Sequence, residues 1–218
     1  MFGRRKAHVR RARGALKDFY GVPGPEASTS LKDLKLLAVD VETTGLKPRE
    51  HQIVSMGWVP INGDVIDFSG AGYVVIRGSE GFSVGSSAVI HQLTDDEIAA
   101  GIDMEDALTQ LLTALQGRAM LAHFSAIERD FISAQCVTHF GAQLEVPIVD
   151  TFTLERRHME RMSTYPRGED LRLPRIRQRY GLPHYSNHQA LSDALACAEV
   201  YLVHLSQLRA QRLGDIWE

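Results

Sequence analysis

An apolar run of four residues, 36–39, ends in two carboxylates, Asp40 and Glu42, and this segment constrains the fold more than any other. The run indicates a strand buried in a sheet, and the T-T-G sequence at 43–45 indicates the turn that ends it. Because side chains alternate between faces along a strand, the two acids point the same way. A divalent metal would relieve their repulsion, since Mg²⁺ and Mn²⁺ prefer carboxylate oxygens. A solvated strand end is the alternative.

The length and composition indicate an ordinary globular protein. The chain has 218 residues, of which 44% are hydrophobic and 23% charged, enough to bury one domain core. No apolar stretch reaches the roughly 20 residues that span a bilayer, and no secretory signal follows the N-terminus. We therefore expect no membrane association and a cytoplasmic location. In that compartment Cys136 and Cys197 are expected as buried thiols, although they could form a pair.

The charge is unevenly distributed along the chain. A net charge of −3 argues against a protein that coats nucleic acid by bulk electrostatics. Two basic clusters nevertheless occur, and each could either follow a phosphate backbone or form a solvated helix face. The first lies within residues 1–17, and the second comprises Arg156, Arg157, Arg161, Arg167, Arg172, Arg175, Arg177 and Arg179.

The order of elements predicts an α/β domain. Residues 1–34 are a basic N-terminal extension and linker, 35–210 the main domain, and 211–218 a C-terminal tail. Antiparallel strands followed by alternating strands and helices predict a mixed central sheet flanked by helices. The predicted strands are 36–42, 53–59, 65–68, 72–76, 119–122 and 146–149, with a turn at Asn62-Gly63, and the predicted helices are 107–115, 126–139 and 190–205.

Two further motifs carry acidic or histidine side chains that could join Asp40 and Glu42 in one site. In H-Q-A-L-S-D-A at 188–194, Asp193 lies on a helix and His188 reaches it only from the loop before that helix. After the strand at 119–122, Glu128 and Asp130 lie about 200° apart on a helix, so only one of them can face the site.

These motifs resemble those of the DEDD superfamily of 3′–5′ exonucleases, in its histidine-containing subgroup (DEDDh). That subgroup includes the proofreading epsilon subunit of bacterial DNA polymerase III and ribonuclease T. The resemblance covers residues 35–208 and rests on four segments in the family's order. They are D-V-E-T-T-G at 40–45, I-H-Q-L-T at 90–94, L-P-R-I-R-Q-R-Y-G-L at 173–182 and H-Q-A-L-S-D-A at 188–194.

The second family motif, H-N-x-x-F-D, departs from its pattern in this chain. Aligning His123 with the family histidine puts Phe124 at the asparagine position and Glu128 at the aspartate position. Phe124, Ile127 and Phe131 then form a core-facing stripe that Glu128 borders, and we expect Glu128 to be the third carboxylate. Asp130 takes that role only if the helix is shifted by two residues.

The resemblance implies a ribonuclease H-like fold and two-metal hydrolysis of phosphodiesters. Mg²⁺ or Mn²⁺, as two ions, would be held by Asp40, Glu42, Glu128 and Asp193, with Asp40 shared between them. His188 would be the general base. The terminal nucleotide would contact Thr43, Thr44, Gly45, Leu46 and His91, although His91 could instead be a loop histidine bonded to backbone.

The expected activity is release of nucleoside 5′-monophosphates from single-stranded 3′ ends, with DNA favoured over RNA and a DNA polymerase as a possible partner. Two alternatives stay open. One is a polymerase-associated binding subunit of the same fold with weak or no activity, which the Glu128 departure motivates. The other is an RNA-trimming exoribonuclease, because the sequence does not reveal a reader of the 2′-hydroxyl.

Overall fold

The computed structural model describes residues 9–78, 94–185, 189–207 and 209–217. A six-stranded mixed sheet forms its centre. Strand β1 lies in the middle, antiparallel to β2 and parallel to β5, which in turn pairs in parallel with β6. The short strands β3 and β4 both pair with β2 at the other edge. The strands are β1 Lys35–Thr43, β2 Ile53–Asn62, β3 Val65–Ile66, β4 Gly72–Val75, β5 Ala119–Ala122 and β6 Ile148–Asp150.

Helices cover both faces of this sheet, as the sequence predicted. In the described ranges they are α1 Gly14–Gly21, α2 Asp95–Ala99, α3 Met104–Leu115, α4 Ala126–Phe140, α5 Thr151–Arg161, α6 Leu173–Arg179 and α7 Ala190–Gln207. Short 3₁₀ turns span Phe68–Gly70, Gly168–Leu171 and Leu213–Asp215. None of the described helices is long and apolar enough to cross a membrane.

The alternation of side chains along β1 separates two cores. Leu37 and Val39 face one core, to which α3 and α4 contribute. Leu36 and Ala38 face the other, which α7 fills with side chains such as Tyr201. Asp40 and Glu42 continue the second series, so they leave the strand on the face that α7 covers.

The N-terminal extension and the C-terminal tail both pack on the domain in their described parts. Leu16 is fully buried in the first core, and the backbone N–H of Arg13 donates to the Phe140 carbonyl at 3.0 Å. The N–H of Leu213 donates to the Thr29 carbonyl at 2.9 Å, and Leu213 is itself fully buried in the second core. These contacts join residues 13–34 and 211–217 to the two cores.

The hairpin between β2 and β3 differs from the prediction in two details. The turn between β2 and β3 is Gly63-Asp64, because Asn62 still pairs with Val65, and Gly63 takes a φ of +63°. Strand β3 ends at Ile66 rather than at 68, because the Asp67 carboxylate accepts the Ser69 N–H and starts a 3₁₀ turn.

Candidate active site

Three carboxylates converge at the carboxyl end of β1. One ligand oxygen from each of Asp40, Glu42 and Asp193 lies within 4.8 Å of the other two. Glu42 is buried, whereas Asp40 and Asp193 are partly exposed. The pair predicted from strand alternation therefore meets the acid predicted on the last helix, and together they form a compact cluster of oxygen donors.

Gly57 allows α7 to bring Asp193 to this cluster. It pairs with Asp40 across β1 and β2. A Cβ at this position would lie 2.2 Å from the backbone nitrogen of Leu191, so the first turn of α7 rests directly on the strand. Gly57 was not among the residues predicted to form the site. Its signal is a glycine inside an otherwise apolar strand, which often marks a close backbone approach.

Glu128 lies beside the cluster, in the first turn of α4. It is 3% exposed, and its Oε2 has no hydrogen-bond partner among the described residues. Burial, together with the charges of Asp150 and Glu42, raises the pKa of Glu128 to about 8. Its own charge contributes to raising the pKa of Asp40, which places it near that carboxylate although outside the 4.8 Å set.

Asp130 points away from the cluster. Its side chain is 54% exposed and pairs with Arg129 at 3.0 Å. Of the two acids on α4, the structure thus brings Glu128 and not Asp130 towards Asp40. The role of Glu128 as the third carboxylate stays a prediction.

The electrostatics of the site favour a bound cation. Burial raises the pKa of Asp40 well above its usual range, and the nearby Glu128, Glu42 and Asp193 add to that effect. Several acids so close together need protons or positive charge to be stable. All the donors are carboxylate oxygens, and one buried oxygen of Glu128 has no hydrogen-bond partner in the described part of the chain. The residues therefore fit hard divalent ions such as Mg²⁺ or Mn²⁺.

The end of β1 and the turn after it carry four of the residues predicted to contact the terminal nucleotide. The Thr43 hydroxyl donates to the Gly45 carbonyl at 2.8 Å, and the Thr44 N–H donates to the Gln52 carbonyl at 2.9 Å. Leu46 is 76% exposed and available for contact. The other two residues of the predicted site, His91 and His188, lie outside the described residues.

Phe124 does not belong to the core, and its predicted place in an apolar stripe is wrong. The helix starts only at Ala126, after a turn in which Phe124 has a φ of +66° and is 50% exposed. Buried Asp150 imposes this turn, since its carboxylate accepts the N–H groups of Phe124 and Ser125 at 2.9 and 3.2 Å. Phe131 does lie in the core.

A cleft of about 790 Å³ opens at the carboxylates. Asp40 and Asp193 line it, together with aromatic side chains and one arginine from the second basic cluster. The lining includes Asp40, His123, Phe124, Phe152, Leu171, Arg172 and Asp193. The cleft is therefore large enough for nucleotides and combines acids, aromatic rings and a positive charge.

Sequence comparisons relate this chain to nucleases and polymerase components. The model of the RNase_T family, described as an exonuclease, matches residues 37–201. A PolC-type DNA polymerase III of Thermotoga petrophila is 25% identical over 182 residues, which is 83% of this chain and 12% of that protein. The DNA polymerase III epsilon subunit of Treponema pallidum is 24% identical, over 75% of this chain and 73% of that one. The chain thus spans about an eighth of its PolC-type relatives.

Solved structures share the fold. The nuclease domain of 3′hExo, a DEDDh family member bound to rAMP, aligns with a TM-score of 0.68 and 14% identity over 82% of this chain and 94% of that one. Exonuclease I of E. coli in complex with a dT13 oligonucleotide aligns with a TM-score of 0.64 and 12% identity over 81% of this chain and 42% of that one. The predicted ribonuclease H-like α/β architecture is confirmed.

Proposed function

This chain belongs to the RNase_T exonuclease family, as its motifs predicted, and from that membership we propose that it is a metal-dependent 3′–5′ exonuclease acting on single-stranded nucleic acid. The observation that carries the proposal is the convergence of Asp40, Glu42 and Asp193 within 4.8 Å, with Glu128 buried beside them. The fold alone would not require such an arrangement, because grouped buried acids destabilise a protein unless they serve a bound charge.

Four carboxylates would hold two Mg²⁺ or Mn²⁺ ions. They are Asp40, Glu42, Glu128 and Asp193. Glu128 is included because its Oε2 has no hydrogen-bond partner among the residues that the structure describes. When bound, such ions supply positive charge at the phosphodiester and polarise its oxygens. The carboxylates themselves fix the position of that charge, because β1, α4 and α7 are held by the packed cores.

His188 is the proposed general base. It stands two residues before Ala190, the first residue of α7, which carries Asp193 in its first turn. An unperturbed imidazole has a pKa near 6.5 and accepts a proton at neutral pH. The base takes the proton from a water, whose oxygen attacks phosphorus, and the 3′-oxygen of the shortened strand leaves. The released nucleotide therefore keeps its phosphate on the 5′-oxygen.

The substrate would enter through the 790 Å³ cleft. The turn at 43–46 and His91 would hold the terminal nucleotide, and Arg172 in the lining would attract the backbone of the strand. DNA is the favoured substrate and a DNA polymerase the favoured partner, because the relatives named above include components of DNA polymerase III.

A labelled-strand assay tests this function. Single-stranded DNA and RNA oligonucleotides carrying a 5′ fluorophore are incubated with the protein and Mn²⁺ or Mg²⁺. We expect a ladder that shortens from the 3′ end, faster on DNA, and no ladder with Asp40→Ala. A faster ladder on RNA would identify an RNA-trimming enzyme. No ladder on either strand would refute the enzymatic function and leave the binding-subunit alternative.

A further inference from the structure

The turn before α4 holds an aromatic residue in a strained conformation. Phe124 has a φ of +66°, a region that bulky L-residues rarely adopt. The Asp150 carboxylate maintains it through hydrogen bonds from the N–H groups of Phe124 and Ser125. The strain does not serve burial, since half of the Phe124 side chain is exposed. Strained residues held in place by their surroundings occur most often at functional sites.

Phe124 forms an aromatic pair that borders the carboxylate cleft. Its ring meets that of Phe152 edge to face, with 5.3 Å between the ring centroids. Both rings line the cleft that also contains Asp40 and Asp193. The guanidinium of Arg156 lies 4.9 Å from the centroid of Phe152. We call Phe124 and Phe152 the aromatic shelf.

We propose that the aromatic shelf stacks the nucleobase on the 5′ side of the scissile phosphodiester, an inference that rests on the proposed exonuclease function. The terminal nucleotide is assigned to the turn at 43–46, which is not among the residues that line this cleft, so the rings in the cleft meet the next nucleotide. Every base has a π-face, so a nucleobase of any type can stack on the aromatic shelf. Bases in a duplex are paired and stacked on each other, so the shelf also selects single-stranded 3′ ends.

Asparagine at position 124 separates this role from a purely structural one. Asn tolerates a positive φ far better than Phe, and the family motif that this segment resembles has Asn there. Phe124→Asn should therefore keep or raise the melting temperature while it removes the stacking surface. If the ring served only to pack against Phe152, the same substitution would lower the melting temperature and leave nucleotide binding unchanged.

The test measures binding as well as cleavage. Fluorescence anisotropy gives the Kd of a 5′-labelled single strand at low ionic strength in EDTA, for an intact strand and for one with an abasic penultimate nucleotide. The KM for both strands is then measured with Mn²⁺. The matched control is Phe68→Asn, because Phe68 is 64% exposed and lies outside the lining of the cleft.

We expect the wild type and Phe68→Asn to prefer the intact strand by about tenfold in Kd and KM, as loss of one stacked base predicts. Phe124→Asn should bind both strands alike, at the level of the wild type with the abasic strand. An unchanged preference in Phe124→Asn, or no preference in the wild type, would overturn the inference. The anisotropy readout needs no hydrolysis, so a failure of the proposed activity would be seen separately, as missing cleavage.

Discussion

Replacing Gly57 with alanine should displace the start of α7 and with it Asp193. The new Cβ would lie 2.2 Å from the Leu191 nitrogen and 2.3 Å from the Ala190 carbonyl carbon, whereas ordinary contact begins at 3.4 Å. Both neighbours are backbone atoms, so rotation of a side chain cannot relieve the clash. The first turn of the helix must therefore shift by about 1 Å, away from Asp40 and Glu42.

The expected cost follows from that shift. A misplacement of about 1 Å at a reacting centre reduces the rate on the order of 100-fold, which corresponds to about 2.7 kcal/mol of transition-state stabilisation. Overpacking of this kind also destabilises a fold by about 1–3 kcal/mol. For a chain of this size that lowers the melting temperature by about 2–4 °C for each kcal/mol.

The assay compares kcat for a single-stranded oligonucleotide at a temperature well below both melting transitions. Gly21→Ala is the control, because a Cβ at Gly21 would meet no atom of the described residues within 4 Å. It should keep the kcat of the wild type. A Gly57→Ala variant whose kcat stays within twofold of the wild type would refute the argument that close approach at Gly57 positions Asp193.

Three more predictions concern the carboxylates and acid stability. Glu128→Ala should abolish nucleotide release, because this buried acid lies near Asp40. Asp130→Ala should largely retain nucleotide release, because Asp130 is exposed. The reverse outcome in a rate assay would show that the predicted register of α4 is wrong. Mn²⁺ at 100 times its Kd should stabilise the wild type by about 2.7 kcal/mol in a thermal melt, and Asp40→Asn should lose most of that gain; equal shifts would place the metal elsewhere. Burial raises the pKa of Glu155, but hydrogen bonds from His204, Tyr180 and Arg179 lower it to about 2. Because the pKa of Glu155 in the folded protein lies below the ordinary 4.5, the ionised carboxylate stabilises the fold by about 3 kcal/mol. This contribution is complete above pH 4.5 and is lost as the pH falls towards 2. Denaturant titrations across that pH range should show a falling free energy of unfolding in the wild type and a flatter dependence on pH in Glu155→Gln. Parallel pH dependences in the two proteins would contradict this role of Glu155.

Local patterns predicted much of the fold because they depend on neighbouring residues. The alternation along β1 correctly placed Asp40 and Glu42 on one face, and the apolar spacing in α3 and α7 located both helices. Helix α5 was not predicted, since it buries only Thr151, Leu154 and Glu155 and most of its other residues are polar or charged.

Features that depend on contacts between residues far apart in the chain could not be predicted from local sequence patterns. Phe124 reads as part of an apolar helix face, and only the hydrogen bonds to Asp150, which is 26 residues away in the chain, put it in an exposed turn. In the sequence, Gly57 is a residue that weakens a strand. Only the structure shows that the first turn of α7 packs directly on it. Burial of Leu16 likewise depends on a core formed mainly by residues far along the chain.

The carboxylate cluster is proposed to support hydrolysis from the 3′ end. The most direct measurement identifies the product by mass spectrometry after reaction with Mn²⁺ in oxygen-18 water. The wild type should release nucleoside 5′-monophosphates that carry one oxygen-18 atom, and Asp40→Asn should release none. Release of nucleoside 3′-monophosphates, or equal release by Asp40→Asn, would contradict hydrolysis at this cluster.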